Sequence, residues 1–523
     1  MRRFFNTAGP CTPEKHYMLP PEGRLPQVRD LIDQESYFVV HAPRQSGKTT
    51  CFRALARALT TEGRYAAVLA SCETAQPAGG DVHLGVQAIL RNISLKAERL
   101  PASCQPPPVE DCTQVEPNSR LLAYLTRWAA KAPLPVVLFL DEIDALLDET
   151  LLSVLRQLRD GYGERPDRFP QSIGLIGLRD VRDYKVRIRP ESASLGTSSP
   201  FNVRVESLTL SNFTINEVAA LYGQHATETG QHFEPEALSL AWELTRGQPW
   251  LVNALARQVV EKDVRDRSVT VTQIHIEAAK DTLILRRDTH LDSLADKLRD
   301  ERVRRVIEPI LAGVSPDADR YDDDAAYVED LGLIERRMGA PPRIANPIYH
   351  EVIPRALAFA VQESLPQRPV WYVGADGTLL TDKLLDEFQV FWLQHAEPLL
   401  RRQPYPEAAP HLIFFGFLQR IVNGGGTVDR EYAVGSGRMD LCVRWRHAGG
   451  EQRDAFEIKV WRDKKADPLA EGLDQLTDYL LRLGLEHGAL LLFDRRSSAR
   501  PIEERCSSQQ LEHRSKSIRV LRL

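Results

Sequence analysis

The chain has 523 residues, enough for two to four domains, and its hydrophobic content of 43% and charged content of 27% are ordinary for a globular protein. A net charge of −5 excludes a uniformly basic nucleic-acid coat protein but is compatible with a local basic groove. The seven cysteines lack metal-site or disulfide spacing, and we find neither a secretory signal nor an apolar run of about 18 residues. We therefore expect reduced thiols, a cytoplasmic location and no membrane partner.

A strand, a loop and a helix are predicted between Tyr37 and Leu59. Tyr37 to His41 is an apolar run that predicts a buried strand, and Thr50 to Leu59 has a helical pattern. The loop between them fits the P-loop pattern G-x-x-x-x-G-K-[ST], except that Ala42 replaces the first glycine. Its backbone N–H groups would bind the phosphates of ATP, Lys48 would reach the β- and γ-phosphates, and Thr49 would hold Mg²⁺. The candidate nucleotide-binding residues are Ala42, Arg44, Gln45, Ser46, Gly47, Lys48, Thr49 and Thr50.

The residues before this strand form a predicted N-terminal arm. Phe4 to Pro10, with His16 and Tyr17, has the composition of a loop that covers the nucleotide base, which makes Tyr17 a candidate nucleotide contact. An ordinary arm that packs on the sheet explains the same residues equally well. The sequence leaves both interpretations open.

A second chemical motif follows a central strand. Ala66 to Ser71 predicts one buried strand, and Val136 to Leu140 predicts another that ends in Asp141 and Glu142. Acidic residues at the carboxyl end of such a strand lie where open α/β sheets bind ligands. We expect Asp141 to hold Mg²⁺, directly or through water, and Glu142 to act as general base toward the attacking water.

Ile173 to Gly177 predicts a further buried strand, which Arg179 follows, and Val203 to Leu208 can supply another strand. Arg179 is a candidate sensor of the γ-phosphate, with a structural salt bridge as the equally weighted alternative. Arg182 and Arg187 are further candidates for an arginine finger in cis, and an oligomer would supply one in trans.

The alternation of strands and helices stops after Ser211. Amphipathic helices are predicted for Asn216–Thr229 and Glu234–Thr245, and a third helix begins after the break at Gly247. Residues 292–312 are also strongly helical in pattern. Asp322–Arg337 and then Pro342–Pro354 predict a helix, a short hairpin and a tail. Val328 to Glu335 resembles the recognition helix and wing of a winged-helix fold, which either contacts DNA or, more often in this setting, serves as a packing module.

A separate constellation lies in the last third of the chain. Glu457 and Lys459 are two residues apart on a predicted strand, so they share a face, and a hairpin places Asp440 beside them on the paired strand. Two carboxylates and an ammonium make an oxygen-ligand Mg²⁺ site suited to phosphodiester hydrolysis. Gln475 and Tyr479 lie one helical turn apart and would face the same side. Solvated residues at a hairpin edge are the alternative explanation.

These motifs carry two resemblances. Residues 37–50 and 136–142, with Gly247, resemble P-loop ATPases of the AAA-like/STAND type, which implies an ATPase core, a helical lid and a winged-helix-like domain. GRMD at 437–440, EIK at 457–459 and QLTDY at 475–479 resemble the PD-(D/E)XK nuclease superfamily in motif order. The nuclease resemblance implies a further acidic metal ligand at Glu407, with Glu431 as competitor.

The expected fold is therefore an α/β multidomain protein. We predict a parallel-sheet P-loop ATPase core in residues 1–210, a helical lid in 211–290, a winged-helix-like domain in 291–362 and an α/β restriction-endonuclease-like domain in 370–523. The cofactors expected are ATP and Mg²⁺.

The predicted function is an ATPase whose nucleotide state controls a Mg²⁺-dependent nuclease, with DNA favoured over RNA and with a role in defence against foreign DNA. A nucleotide-switched scaffold with a non-cleaving nuclease-like domain is the alternative, and a DNA motor is a weaker one because no helicase motif set is visible. A homo-oligomer or a protein trigger as partner is left open by the sequence.

Overall fold

A computed structural model describes residues 2–20, 23–179, 204–286, 294, 296–311, 322–337, 340–364, 372–402, 409–422, 426–434 and 437–523. Two compact units make up the chain. The first contains Met1–Arg286, Ala326–Glu335 and Ala345–Pro347, and the second contains Arg287–Ala325, Arg336–Ile344 and Ile348–Leu523. The four domain boundaries predicted above stay predictions.

A five-stranded parallel sheet forms the centre of the first unit. Its strands are β1 (Tyr37–His41), β2 (Ala66–Ser71), β3 (Val136–Asp141), β4 (Ser172–Gly177) and β5 (Arg204–Thr209). They lie in the order β2-β3-β4-β1-β5. The parallel-sheet core expected from the sequence is confirmed, and four strand positions were predicted within one residue; the fifth was expected to start at Val203, which lies outside the described residues.

Helices cover both faces of this sheet. The helices of the core are α1 (Gln27–Asp33), α2 (Lys48–Thr61), α3 (Val82–Ala97), α4 (Pro117–Lys131) and α5 (Asp148–Asp160). Alternate residues of β1 join different apolar clusters: Val39 packs with α3, α4 and α5, whereas Phe38 packs with α1 and α2. A strand buried on both faces has the continuous apolar sequence seen in β1 and β3.

A group of helices follows the sheet. They are α6 (Ile215–Thr229), α7 (Pro235–Thr245), α8 (Pro249–Gln258) and α9 (Gln273–Arg286). Thr214 and Glu217 form a reciprocal capping box that starts α6. Gly247 separates α7 from α8 with φ +70°, and a β-carbon there would lie 1.8 Å from the carbonyl oxygen of Phe213, so only glycine fits.

Residues 301–311, 322–337 and 340–364 form helices and a two-stranded sheet. The elements are α10 (Glu301–Leu311), α11 (Asp322–Asp330), β6 (Ile334–Arg337), β7 (Ala340–Ile344) and α12 (Pro347–Ser364). The expected helix followed by a hairpin is present at α11, β6 and β7. The tail expected after the hairpin is instead the helix α12, because apolar residues recur there at helical spacing around Ile348 and Val352, both of which are buried.

The second unit contains a six-stranded mixed sheet. Its strands are β8 (Gly426–Val434), β9 (Gly437–His447), β10 (Gly450–Trp461), β11 (His487–Asp494), β12 (Ser507–His513) and β13 (Lys516–Arg522), and its helices are α13 (Thr381–Arg402), α14 (Ala409–Val422), α15 (Leu469–Leu483) and α16 (Ile502–Arg505). The order is β12-β13-β11-β10-β9-β8, with β10 and β11 parallel and β9 and β10 antiparallel.

The two faces of β10 have different surroundings. Phe456 and Ile458 pack with α13 and α14, whereas Ala455 packs with α15. By the period of two, Glu457 and Lys459 are therefore on the face covered by α15. The strand thus brings charged residues to the side from which Gln475 projects.

In the described part of the chain, no helix is both long and apolar enough to cross a membrane.

Substituting Gly174 in β4 tests the packing of the first sheet. A β-carbon there would lie 2.8 Å from a ring atom of Phe38 and 2.9 Å from one of Phe139. We expect Gly174→Ala to lower the free energy of unfolding by about 1–3 kcal/mol because the rings lack room to move. Urea unfolding followed by circular dichroism measures this change.

Gly163→Ala is the matched control, since a β-carbon at Gly163 would meet no described atom within 4 Å. Equal stabilities for the two variants would contradict the packing of Phe38 and Phe139 against β4.

Candidate functional site

The loop between β1 and α2 has the backbone of a phosphate-binding turn. Gln45 and Gly47 adopt positive φ angles of 59° and 94°, and α2 begins directly after Gly47 at Lys48. Ala42 is buried and does not adopt a positive φ, so alanine at this position is compatible with the turn despite its departure from the P-loop pattern. The N-terminus of α2 therefore faces the concave side of the loop, where phosphate groups would bind.

Lys48 is turned back onto the loop. Its Nζ donates hydrogen bonds to the carbonyl oxygens of Ala42 at 2.5 Å and Pro43 at 2.9 Å. Burial lowers the pKa of Lys48 to about 8, although Asp141 opposes the shift. A partly buried ammonium held mainly by carbonyl groups is prepared for an anionic partner.

The other loop residues differ in exposure. Arg44 and Gln45 are exposed, whereas Ser46 is buried and its Oγ has no hydrogen-bond partner among the described residues. An orphaned buried hydroxyl beside Lys48 fits a phosphate group that would accept its hydrogen bond.

The carboxyl end of β3 meets the first turn of α2. Thr49 Oγ1 donates a hydrogen bond to Asp141 Oδ2 at 2.6 Å, and the backbone N–H of Glu142 donates to Asp141 Oδ1 at 3.0 Å. Ser71 Oγ at the end of β2 donates to Glu142 Oε2 at 2.6 Å. Burial raises the pKa of both Asp141 and Glu142. The predicted metal ligands Thr49 and Asp141 are thus adjacent, and the predicted base is oriented by a hydroxyl.

Arg179 forms a salt bridge, which was one of the two roles that the sequence left open for it. Its Nε donates to Asp330 Oδ2 at 3.1 Å, and its guanidinium lies 4.9 Å from the ring centroid of Tyr327. Both partners belong to α11, and residues 326–335 are part of the first unit. The γ-phosphate sensor role of Arg179 stays a prediction, and Arg182 and Arg187 lie outside the described residues.

The end of α11 also touches the P-loop. Gly332 has φ +75°, and a β-carbon on it would lie 2.8 Å from side-chain atoms of Pro43. Pro43 supplies one of the two carbonyl groups that hold Lys48. The turn after α11 is therefore in direct contact with the residue next to Ala42 in the nucleotide loop.

The N-terminal arm packs on both the P-loop helix and α6. The ring of Tyr17 is buried, 4.8 Å from the ring of Phe5 and 5.6 Å from that of His225. The backbone N–H of Cys11 donates to Thr50 Oγ1 at 3.0 Å. The Tyr17 ring therefore packs as expected for an ordinary N-terminal arm. The Tyr17 hydroxyl has no hydrogen-bond partner in the described structure. Contact between Tyr17 and the nucleotide stays a prediction.

The second constellation forms on the β9–β10 hairpin. Leu441 pairs with Phe456, which sets Asp440 and Glu457 side by side on neighbouring strands. Asp440 Oδ2 accepts a hydrogen bond from the backbone N–H of Ile458 at 2.7 Å. Glu457 is only 3% exposed, and Lys459 Nζ lies 3.1 Å from Glu457 Oε1. The predicted hairpin thus brings its three charged residues together.

Lys459 also contacts α15. Its Nζ lies 3.3 Å from Glu471 Oε1 and donates a hydrogen bond to Gln475 Oε1. Gln475 Nε2 donates in turn to Glu471 Oε1 at 3.4 Å. Sequence reasoning found Gln475 but missed Glu471. Its position four residues before Gln475 on one helix face was the available signal.

Burial and the neighbouring Asp440 raise the pKa of Glu457 to about 8. Glu457 Oε2 has no hydrogen-bond partner among the described residues, which is the chemistry of a carboxylate that can accept a cation. No group of three or more acidic, histidine or cysteine side chains suited to a metal occurs in the described ranges. Glu407 and the side chain of Glu431 lie outside those ranges.

Comparison with known proteins identifies the first site. Residues 23–166 match the family model described as AAA ATPase domain. No curated protein matches the chain. Together with the P-loop geometry, the match of residues 23–166 to the AAA ATPase domain model supports a P-loop ATPase that binds ATP.

Solved structures with low similarity include three proteins. The Walker-type ATPase of Pyrococcus abyssi is 13% identical, with 67% of this chain and 99% of that chain covered at a TM-score of 0.45. The RuvB Holliday junction branch migration motor of Thermotoga maritima is 16% identical, with 64% and 93% covered at 0.33. Cdc6p of Pyrobaculum aerophilum is 12% identical, with 64% and 93% covered at 0.35. The ATPase assignment rests on the family match and the P-loop.

Lys48→Ala should abolish ATP turnover, with a fall of at least about 100-fold, because the ammonium that meets the phosphates is removed. Phosphate release in the presence of Mg²⁺ measures the rate. Lys131→Ala removes an exposed lysine at the end of α4 and should leave the rate unchanged. Turnover by Lys48→Ala at the wild-type rate would exclude this loop as the nucleotide site.

Glu457→Gln should alter how stability depends on pH. The folded-state pKa of Glu457 is raised from 4.5 to about 8. The protonated carboxyl group therefore contributes its full stabilisation of the fold below about pH 4.5, and this stabilisation is lost as the pH rises through about 8. In the presence of EDTA, the variant should gain stability relative to the wild type as the pH rises from 5 to 8.5, by at least about 1 kcal/mol. Denaturant unfolding at several pH values measures this gap.

Glu512→Gln changes an exposed glutamate on β12 and serves as control, with no widening gap expected. A constant gap for Glu457→Gln across the range would contradict the burial of an uncharged Glu457.

Proposed function

We propose that this chain is an ATPase of the AAA-like/STAND type whose nucleotide state controls a Mg²⁺-dependent nuclease in residues 370–523. The proposed nuclease has the restriction-endonuclease-like PD-(D/E)XK fold and hydrolyses phosphodiester bonds of DNA, in defence against foreign DNA. Residues 291–362 are proposed as a winged-helix-like domain between the two activities.

The observation that carries the nuclease proposal is the grouping of Asp440, Glu457 and Lys459. Two carboxyl groups and an ammonium converge at one place on a buried hairpin, with Glu457 Oε1 and Lys459 Nζ 3.1 Å apart. Burying charged groups is costly, and a buried cluster of this kind is therefore a candidate functional site. The free Oε2 atom of Glu457, unpartnered in the described structure, adds the acceptor that a cation requires.

Asp440 and Glu457 are the residues that would hold Mg²⁺ here. A bound magnesium ion supplies Lewis-acid polarisation of the phosphate and a more acidic water. Burial acts to lower the pKa of Lys459, but Glu457 and then Asp440 and Glu471 outweigh it, so the pKa is raised. Lys459 therefore stays charged at neutral pH, which favours a role in stabilising negative charge on the phosphate over a role as base.

In the ATPase site, each residue has a separate task. Lys48 binds the phosphates, and Thr49 with Asp141 would hold Mg²⁺ through oxygen atoms. Glu142 is restrained by the Ser71 hydroxyl and orients the attacking water. These assignments are supported by the proximity of the first turn of α2 to the carboxyl ends of β2 and β3.

Control by nucleotide is supported by the contacts of α11. Arg179 follows the carboxyl end of β4, and Pro43 follows the carboxyl end of β1. Both residues contact the segment 326–335. A phosphate that draws Lys48 away from the Pro43 carbonyl changes the surroundings of Gly332 at the same time. The chain on both sides of this segment is grouped with the second unit, which gives the proposed signal a covalent route.

The alternative function is a nucleotide-switched scaffold that grips nucleic acid without cutting it. Its supporting observation is that the described residues contain no group of three or more acidic, histidine or cysteine side chains that could hold a metal ion. Lys459 is, moreover, already fully engaged by Glu457, Glu471 and Gln475.

A nuclease assay separates the two proposals. The full chain is incubated with circular and linear DNA in Mg²⁺ or Mn²⁺, with and without ATP. We expect cleavage by the wild type and a loss of at least about 100-fold in Lys459→Ala, because an ammonium at the phosphate is removed. Arg446→Ala, which changes an exposed cation on β9, is the matched control and should cut normally.

Asp330→Asn in the same assay tests whether the nucleotide controls cleavage. Loss of the Arg179 pair should weaken the dependence of cleavage on ATP while cleavage itself persists. Cleavage equal in Lys459→Ala and the wild type would reject the nuclease site, and cleavage that is identical with and without ATP would reject nucleotide control.

A further inference from the structure

An aromatic side chain follows the proposed catalytic residues on the same face of β10. Trp461 is two residues beyond Lys459, about 7 Å along the strand, and it is half-buried at the carboxyl end. In the parallel partner β11, Asp494 pairs with Trp461 in register. The residues after both strands therefore emerge at one edge of the sheet.

Arg496 covers the Trp461 ring. Its guanidinium carbon lies 3.3 Å from the ring centroid, which is van der Waals contact. Asp494 fixes the guanidinium in place through Nε to Oδ1 at 2.9 Å and Nη2 to Oδ2 at 2.6 Å. A planar cation stacked on an aromatic ring is thus held ready before any ligand arrives.

The turn after Trp461 is also ordered by its own hydrogen bonds. Trp461 Nε1 donates to the carbonyl oxygen of Lys465 at 2.9 Å, and the backbone N–H and hydroxyl of Ser497 each donate to Asp463 Oδ1 at 3.1 Å. Lys464 adopts a positive φ of 62°. Both Lys464 and Lys465 are exposed at this turn.

This edge of the sheet is basic, although the chain as a whole is slightly acidic. The two short segments 462–465 and 494–496 carry five cations against two carboxylates, while the whole chain has a net charge of −5. Of the two carboxylates, Asp494 is paired with Arg496 and Asp463 accepts hydrogen bonds from Ser497. The cations are Arg462, Lys464, Lys465, Arg495 and Arg496.

We infer that this edge is a binding surface for a single strand of DNA beside the bond that is cut, with Trp461 and Arg496 as a stacking platform for a base and Lys464 and Lys465 as phosphate contacts. Aromatic rings and arginine planes stack on bases of any sequence, and lysines neutralise the backbone. The inference rests on the proposed function in placing the cut at Lys459.

A single strand suits this surface better than a duplex. Base faces are accessible for stacking only where a strand is unpaired, and the Trp461–Arg496 stack offers a flat cation at the sheet edge. Lys464 and Lys465 are adjacent in sequence on a stiff turn, which suits contacts to neighbouring phosphates rather than recognition of base edges.

Fluorescence anisotropy with a labelled single-stranded DNA oligonucleotide tests the surface. The full chain is used with EDTA so that binding is measured without cutting. Trp461→Leu should weaken binding by about 5- to 150-fold, the range of one lost base stack, and Trp461→Phe should restore part of it. Lys464→Ala and Lys465→Ala should each lower the slope of log affinity against log salt concentration by about 0.7.

Arg446→Ala is the control, because Arg446 is an exposed cation near the opposite end of the hairpin, where it pairs with Glu451. Its binding and salt slope should match the wild type. Wild-type binding and slope in both lysine variants would overturn the inference, and these exposed substitutions leave the core of the fold intact. Tight binding of RNA with none of DNA would overturn the assignment to DNA.

The two proposals can fail separately. A wild-type chain that never cuts, but whose DNA binding falls in the lysine and Trp461 variants, rejects the nuclease and supports the surface. A chain that cuts in a Lys459-dependent way, with unchanged DNA affinity in those variants, supports the nuclease and rejects the surface.

Discussion

The hydrogen bond between Thr49 and Asp141 joins two parts of the chain that are 92 residues apart and sets the geometry of the ATPase site. Asp141 is 3% exposed, so the bond forms in a medium of low polarity where it is strong and where an unpaired carboxyl would be costly. It ties the first turn of α2 to the end of β3. Lys48, Glu142 and the Ser71 hydroxyl are then close to one another because parallel strands end at a common edge.

Local patterns gave much of the fold and of the site. Tyr37 to His41 was predictable because a strand buried on both faces is continuously apolar, and Asp440 was predictable beside Glu457 because a hairpin and a period of two fix which residues share a face. The partner of Arg179 was not predictable: Asp330 is 151 residues away, and only tertiary packing brings it near. Glu471 escaped notice because its one local signal, a position four residues before Gln475, points to the site only once Lys459 is known to face that helix.

Strand β10 shows how one element serves several purposes along a single face. Ala455 contributes to the core under α15, Glu457 is buried but ionisable, and Lys459 is reached by polar groups of that helix. Polarity thus increases in steps from Ala455 to Lys459 on this face of the strand. The cost of burying Glu457 is limited by protonation and by the nearby ammonium, which lets the sheet hold charge without unfolding.

Gly332 and its contact with Pro43 have a consequence for biosynthesis. Residues 326–335 belong to the unit with the P-loop, although 287–325 and 336–344 belong to the other. During translation, the nucleotide loop can complete its packing only after the ribosome has passed Gly332, and domains fold largely in the order in which they emerge. The strands β8 to β13 are made later still. The first unit can therefore complete its packing before the six-stranded sheet of the second unit is synthesised.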